Sequence, residues 1–144
     1  MSLEIAPRRL TKVCRAVAVV LVLAFGVLAL RLADDTEQAF GPADQVAFFG
    51  IGLLLAAAVL AFTRARVRAD TQGIWVRNVL GERFFPWQLV VSVDLPDGAG
   101  WAQLELHDDE TVALLAVQAN DGDTAVDAVL ALRNLMHTAQ DSQD

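Results

Sequence analysis

The chain has 144 residues, 55% of them hydrophobic, which leaves room for one small domain and an appendage but not for a multidomain enzyme. Its 18 acids outnumber 11 bases for a net charge of −7, so the domain repels phosphate backbones and carries no nucleic-acid footprint. One Cys excludes a disulfide framework, and one Cys with two His leaves no ordinary zinc site.

The first element follows a basic segment, 1–12, carrying Arg8, Arg9 and Lys12. Residues 16–30 are uncharged, and the apolar stretch extends to about 13–33 if Arg15 and Arg31 snorkel from its ends. A second uncharged block, 46–62, runs to Thr63 and stops at Arg64. Each is long enough to cross a hydrocarbon core as a helix. The linker 34–45 between them holds four acids and a Gly41-Pro42 turn signal. This order predicts a two-helix transmembrane hairpin. Bases flank it at both outer ends, so the positive-inside rule puts both termini in the cytoplasm and the acidic linker outside. A cleaved signal peptide fits poorly, because Arg31 occupies the −3 position before Asp34. A buried hairpin in a soluble protein would need a partner layer larger than the remaining 80 or so residues can build. Within the second span Gly52 and Ala56, and Ala57 and Ala61, recur four apart, a spacing that lets helix backbones approach; the packing partner is either the first span or a foreign helix.

From Arg64 the period changes to two. Arg64, Arg66, Arg68 and Asp70 alternate with Ala65, Val67 and Ala69, which predicts a half-buried strand. A turn at 71–73 leads to strands over 74–78 and 83–87, the second at an edge or strand end because of Pro86. Residues 89–95 alternate Val91, Val93 and Leu95 against Val90, Ser92 and Asp94. The loop 96–100 follows, then a strand 101–107 with Ala102, Leu104 and Leu106 on one face, and a last strand 111–117. Thr124 to about Ala139 reads as a helix, with Thr124 and Asp127 forming a variant capping box. Its apolar stripe is Val129, Leu132, Leu135 and Met136, widened by Val126 and Leu130. The domain spans 64–140, with a polar tail 141–144. Successive strands followed by one amphipathic helix imply a membrane-anchored α+β chain whose small sheet or barrel is closed by that helix.

Asp70, Gly73-Ile74 and Val76, then Gly81, Pro86-Trp87 and Leu89-Val90 are similar to the pattern of small bacterial PH-like domains. With Leu104, Leu106 and residues 114–118, the chain resembles the actinobacterial low-molecular-weight antigen family, in which two spans precede such a domain. The resemblance covers 13–139 and implies a PH-like β-barrel capped by a C-terminal helix. Asp109-Glu110 stands where the turn often has Gly, and Leu115 where Pro is common.

A PH-like fold raises headgroup binding, for which Arg66, Arg68 and Arg77 are the candidates. Residues 64–144 hold 6 Arg and 13 acids, however, so Arg64, Arg66 and Arg68 read better as membrane-surface contacts and a topology signal. His107 and His137 lack a nucleophile or orienting partner in the sequence, which gives no catalytic residue. Asp121-Gly122-Asp123 lacks the calcium-loop spacing, and Cys14 sits at a span edge as a small interfacial residue. No metal ligand set, cofactor motif or small-molecule substrate site is evident. Of Trp75, Trp87 and Trp101, two or all three fill the core; Trp101, after a Gly-rich loop, is the candidate partner anchor. The expected function is a non-enzymatic scaffold or accessory subunit that contacts the lipid bilayer and docks protein partners of a membrane complex. Its alternative is an anionic-lipid sensor.

Overall fold

The structure is a computed structural model that describes residues 2–35 and 41–143. It forms two units, residues 9–63 and residues 1–8 with 64–144.

The first unit holds two helices, α1 (Arg8–Asp35) and α2 (Pro42–Ala61). Both begin before the uncharged blocks. Pro42 suits the first helical turn, and the Asp44 carboxylate accepts a hydrogen bond from the Gly41 N–H at 2.9 Å. The centre of the acidic linker, 36–40, lies outside the described residues. The two helices are long and apolar enough to cross a membrane. Large side chains such as Leu23, Leu30 and Leu54 point outward, whereas the buried positions are small: Cys14, Ala18 and Ala29 in α1, Gly52 and Ala56 in α2. A Cβ on Gly52 would stand 2.6 Å from Cβ of Phe25, so glycine sets how closely α2 approaches α1. The first of the two expected small-residue pairs therefore packs on α1. The second does not: Ala57 is exposed and Ala61 only half-buried, because they sit farther round the helix.

Among the described residues, the second unit has seven strands. One sheet has the order β1 (Leu3–Ile5), β2 (Arg66–Ala69), β3 (Gly73–Asn78), β4 (Gly81–Pro86); the other is β5 (Val90–Asp94), β6 (Trp101–Leu106), β7 (Thr111–Gln118). All neighbours are antiparallel. Strand β1 is the main addition to the sequence reading. Three residues from the N-terminal segment pair with β2, Leu3 opposite Ala69 and Ile5 opposite Val67. The chain thus leaves this sheet before α1 and re-enters it one strand over after α2.

Helix α3 (Asp123–Asp141) packs its buried face, Ala125, Val129, Leu132, Met136 and Ala139, on the core. Two expectations for it fail. Gly122, not Thr124, caps the helix, and no side-chain cap bond forms, so Thr124 and Asp127 are not a capping box. Val126 and Leu130 are about half exposed, because the helix seats one row of side chains and they fall outside it. Arg133 fixes the helix to β5, its Nε donating to the Val93 carbonyl at 2.6 Å and its guanidinium pairing with Asp94. Gln140 Nε2 donates to the Trp87 and Val90 carbonyls.

The alternation expected over 89–95 also fails. Val90 and Val93 are buried while Val91 is exposed, because the pairing of β5 with β6 shifts register between Val90 and Ser92.

Candidate docking faces

Three of the motif residues, Asp70, Gly73 and Trp87, are architectural. The Asp70 carboxylate accepts from the Gln72 and Gly73 N–H groups at 2.7 and 3.3 Å, closing the β2–β3 turn. A Cβ on Gly73 would lie 2.4 Å from the Phe85 carbonyl oxygen, so no other residue fits there without a shift. Trp87 is fully buried, and its indole N–H donates to the Asp70 carbonyl at 2.7 Å. Asp109 adopts a left-handed φ of 62°, while Asp108 accepts from the Glu110 N–H at 3.2 Å. An Asp tolerates the conformation for which Gly is the usual choice. This accounts for the departure at that turn.

The outward face of the four-stranded sheet gathers the arginines that the sequence singled out. Arg66 stands directly opposite Arg77, and Arg68 opposite Trp75. Trp75 in turn lies against Phe84 with ring centroids 4.5 Å apart. Like charges directly opposite are unfavourable unless compensated. Glu4 of β1 supplies the compensation, at 3.1 Å from Arg66 and 4.0 Å from Arg68. Glu82 stands opposite Arg77 in the register. The result is a mixed cationic and aromatic face carrying three guanidinium groups, two carboxylates and an exposed ring edge. Two shallow hollows open on it, one of about 230 Å³ beside Ser2, Arg68 and Trp75. Sequence reasoning missed both Glu4 and the Trp75–Phe84 pair, since each depends on which strands become neighbours. Arg64 is exposed in the short turn ahead of β2.

Trp101, the chosen anchor, is 42% exposed on β6, in the other sheet and apart from the arginines. The three tryptophans have divided: Trp87 is core, Trp75 is half-buried on the cationic face, and Trp101 is exposed.

A larger hollow of about 560 Å³ lies at the β3–β4 hairpin, walled by Val76, Val79, Val112 and Leu115. Asn78 spans it from one sheet to the other, Nδ2 donating to the Ala113 carbonyl at 3.0 Å, while its buried Oδ1 has no partner. At the rim Arg83 pairs with Glu110 through bonds of 2.7 and 3.4 Å. The hydrogen bond from Arg83 to Glu110, with the attraction of that carboxylate, raises the Arg83 pKa above its usual value. Arg83 also lies 4.9 Å from the centre of the Phe85 ring.

Among the described residues, no group of three or more His, Cys, Asp or Glu could hold a metal ion. His107 and His137 are both exposed on separate elements. These surfaces offer recognition chemistry, aromatic and guanidinium contacts framed by carboxylates.

The chain is 46% identical over 97 residues to uncharacterized proteins of Mycobacterium tuberculosis and Mycobacterium bovis, an alignment covering 67% of this chain. It spans 63% of the length of these relatives. No solved structure matches it. Residues 64–135 match the bacterial PH domain family, and the chain belongs to that family.

Proposed function

We propose that this protein is a non-enzymatic, membrane-anchored docking module, a scaffold or accessory subunit whose PH domain presents binding surfaces to protein partners on the cytoplasmic face of the plasma membrane. The observation that carries this reading is the β1–β2 pairing. Sequence from both sides of the two apolar helices meets in one sheet, so the flanks of the helical pair share a side of any bilayer that it crosses. Basic residues at both flanks favour the cytoplasmic side. The resemblance to two-span antigen proteins supports the same arrangement.

A domain held at the membrane by two covalent spans needs no headgroup affinity to reach it. Its exposed aromatic and charged residues then serve recognition of other molecules. The acid excess of 64–144 further disfavours general attraction to an anionic leaflet. Lipid recognition is the second reading. It draws on one observation, the direct opposition of Arg66 and Arg77, which an anion could bridge.

Recovery of partners from native membranes in mild detergent tests the choice. Trp101→Ala should leave the domain folded and weaken recovery by about 2 kcal/mol if the indole is an interface hot spot. Replacing Arg66, Arg68 and Arg77 together by Gln should change recovery little. Partners lost with the Gln variant and kept with Trp101→Ala would favour the charge-based reading.

A further inference from the structure

We infer that the β3–β4 hairpin tip, Val79-Leu80, dips into the lipid interface and forms a third membrane contact beside the two apolar helices; the inference rests on the membrane-anchored reading. Leu80 is 100% exposed, the most exposed large apolar side chain among the described residues. Asn78 and Gly81 stand opposite each other and flank the turn, residue types that suit its first and last positions; of the central two, Val79 walls the hollow, whereas position 80 is free to be polar. The chain places Leu there.

The strand register says where this tip points. Arg77 pairs with Arg66 at the start of β2, the end at which the chain arrives from α2. Ile5 pairs with the next residue, Val67, just before the chain departs into α1 at Arg8. The β3–β4 tip therefore lies at the end of the sheet where this unit's chain exits after Ile5 and re-enters before Arg66, and the β2–β3 turn at Gln72 lies at the opposite end. Val79 and Leu80 turn just past the Asn78–Gly81 pair, so at about 3.3 Å per residue the tip extends roughly 7 Å beyond the Arg66–Arg77 pair.

Lipid is the occupant that fits this position. Arg66, Arg77 and Arg83 lie on the strands leading to this end of the sheet, but Arg66 pairs with Glu4, Arg83 with Glu110, and Arg77 stands opposite Glu82. Attraction to anionic headgroups is thus nearly balanced, and apolar burial of the tip supplies the contact. Weak dependence on salt follows.

The test uses the full chain in vesicles of phosphatidylcholine and phosphatidylglycerol, with Cys14→Ser as background and an environment-sensitive fluorophore on Leu80→Cys, Val79→Cys or Gln72→Cys. Brominated lipid should quench the probe at 80 strongly and the probe at 72 weakly. With the probe at 79, Leu80→Ser should lower the ratio of inserted to free tip about tenfold, the lower end of what burying a leucine contributes. Equal, weak quenching at 80 and 72 in a chain that resists alkaline carbonate extraction would overturn the wedge and leave the anchored reading intact. Release of the chain by carbonate would overturn both. A probe at 80 that is shielded in native membranes yet insensitive to brominated lipid would mean that a protein covers the tip, and would overturn the inference too.

Discussion

The two units of this protein bury opposite kinds of side chain. In the helical pair the inside is glycine, alanine and cysteine, and the leucines and valines face out. In the PH domain the inside is Trp87, Ile74, Leu104, Leu114 and Leu132, and the arginines and acids face out. Water drives the second pattern, because removing large apolar surface from it is favourable. It cannot drive the first. Helices that expose leucine and bury glycine gain from close backbone approach, the arrangement that a hydrocarbon solvent selects. The contrast teaches that hydrophobic content alone does not say how a segment packs: the position of the large residues, outside in the helical pair and inside in the PH domain, separates the two units.

The most severe way to break the water-driven unit is Leu132→Asp. Leu132 is fully buried on α3, so an unpaired carboxylate there should cost about 3 kcal/mol or more, read as a fall in the denaturation midpoint of the domain. Val126→Asp and Leu130→Asp on the same helix should each stay within about half a kcal/mol, since both sites are half exposed.

The helical pair should break at its smallest residues instead. Gly52→Val forces a side chain to within 2.6 Å of Phe25 and should weaken α1–α2 packing by about 2 kcal/mol. Cysteine cross-linking between the helices in membranes measures it. Ala57→Val, at an exposed site, should leave the cross-linking pattern unchanged.

Separating the units sharpens the comparison. Residues 2–7 joined by a short Gly-Ser turn to residue 64, with the helical pair removed, should give a soluble domain. Its midpoint should exceed that of residues 64–143 alone by the equivalent of about 1–2 kcal/mol. The reason is that Leu3 and Ile5 of β1 pack against the core and their strand covers the edge of β2. Equal stability of the two forms would show β1 to be dispensable.

The smallest effect concerns one backbone angle. Asp109→Gly should stabilise the domain by roughly half a kcal/mol, since glycine holds a φ of 62° without steric cost. Thermal unfolding would detect it as a small rise in midpoint.

Much of the candidate surface is legible in the sequence. The alternation of Arg64, Arg66 and Arg68 with Ala65, Val67 and Ala69 put the arginines outside and the small residues inside, as found. The alternation in 101–107 likewise buried Ala102, Leu104 and Leu106. Where a bulge intervenes, the same arithmetic fails, and Val91 turns outward. Choosing among the three tryptophans was beyond it. An indole is too large to be placed by period alone, and only the turn at Asp70 explains why Trp87 is the one in the core.

Local sequence determined what each segment could be, because hydrophobic period, turn residues and helix length are encoded within some 20 neighbouring residues. Two long apolar helices, a run of strands and a closing amphipathic helix were written there. Only the tertiary structure decided which distant segments meet. Residues 3–5 are too few to show a strand by period, and they become one because β2, some 60 residues later, offers them an unpaired edge. Glu4 beside Arg66, Trp75 on Phe84 and the placement of Leu80 at the Arg66–Arg77 end of the sheet all follow from such pairings. Backbone hydrogen bonds between strands carry no sequence label, so register, and with it the makeup of every surface, is settled by the fold.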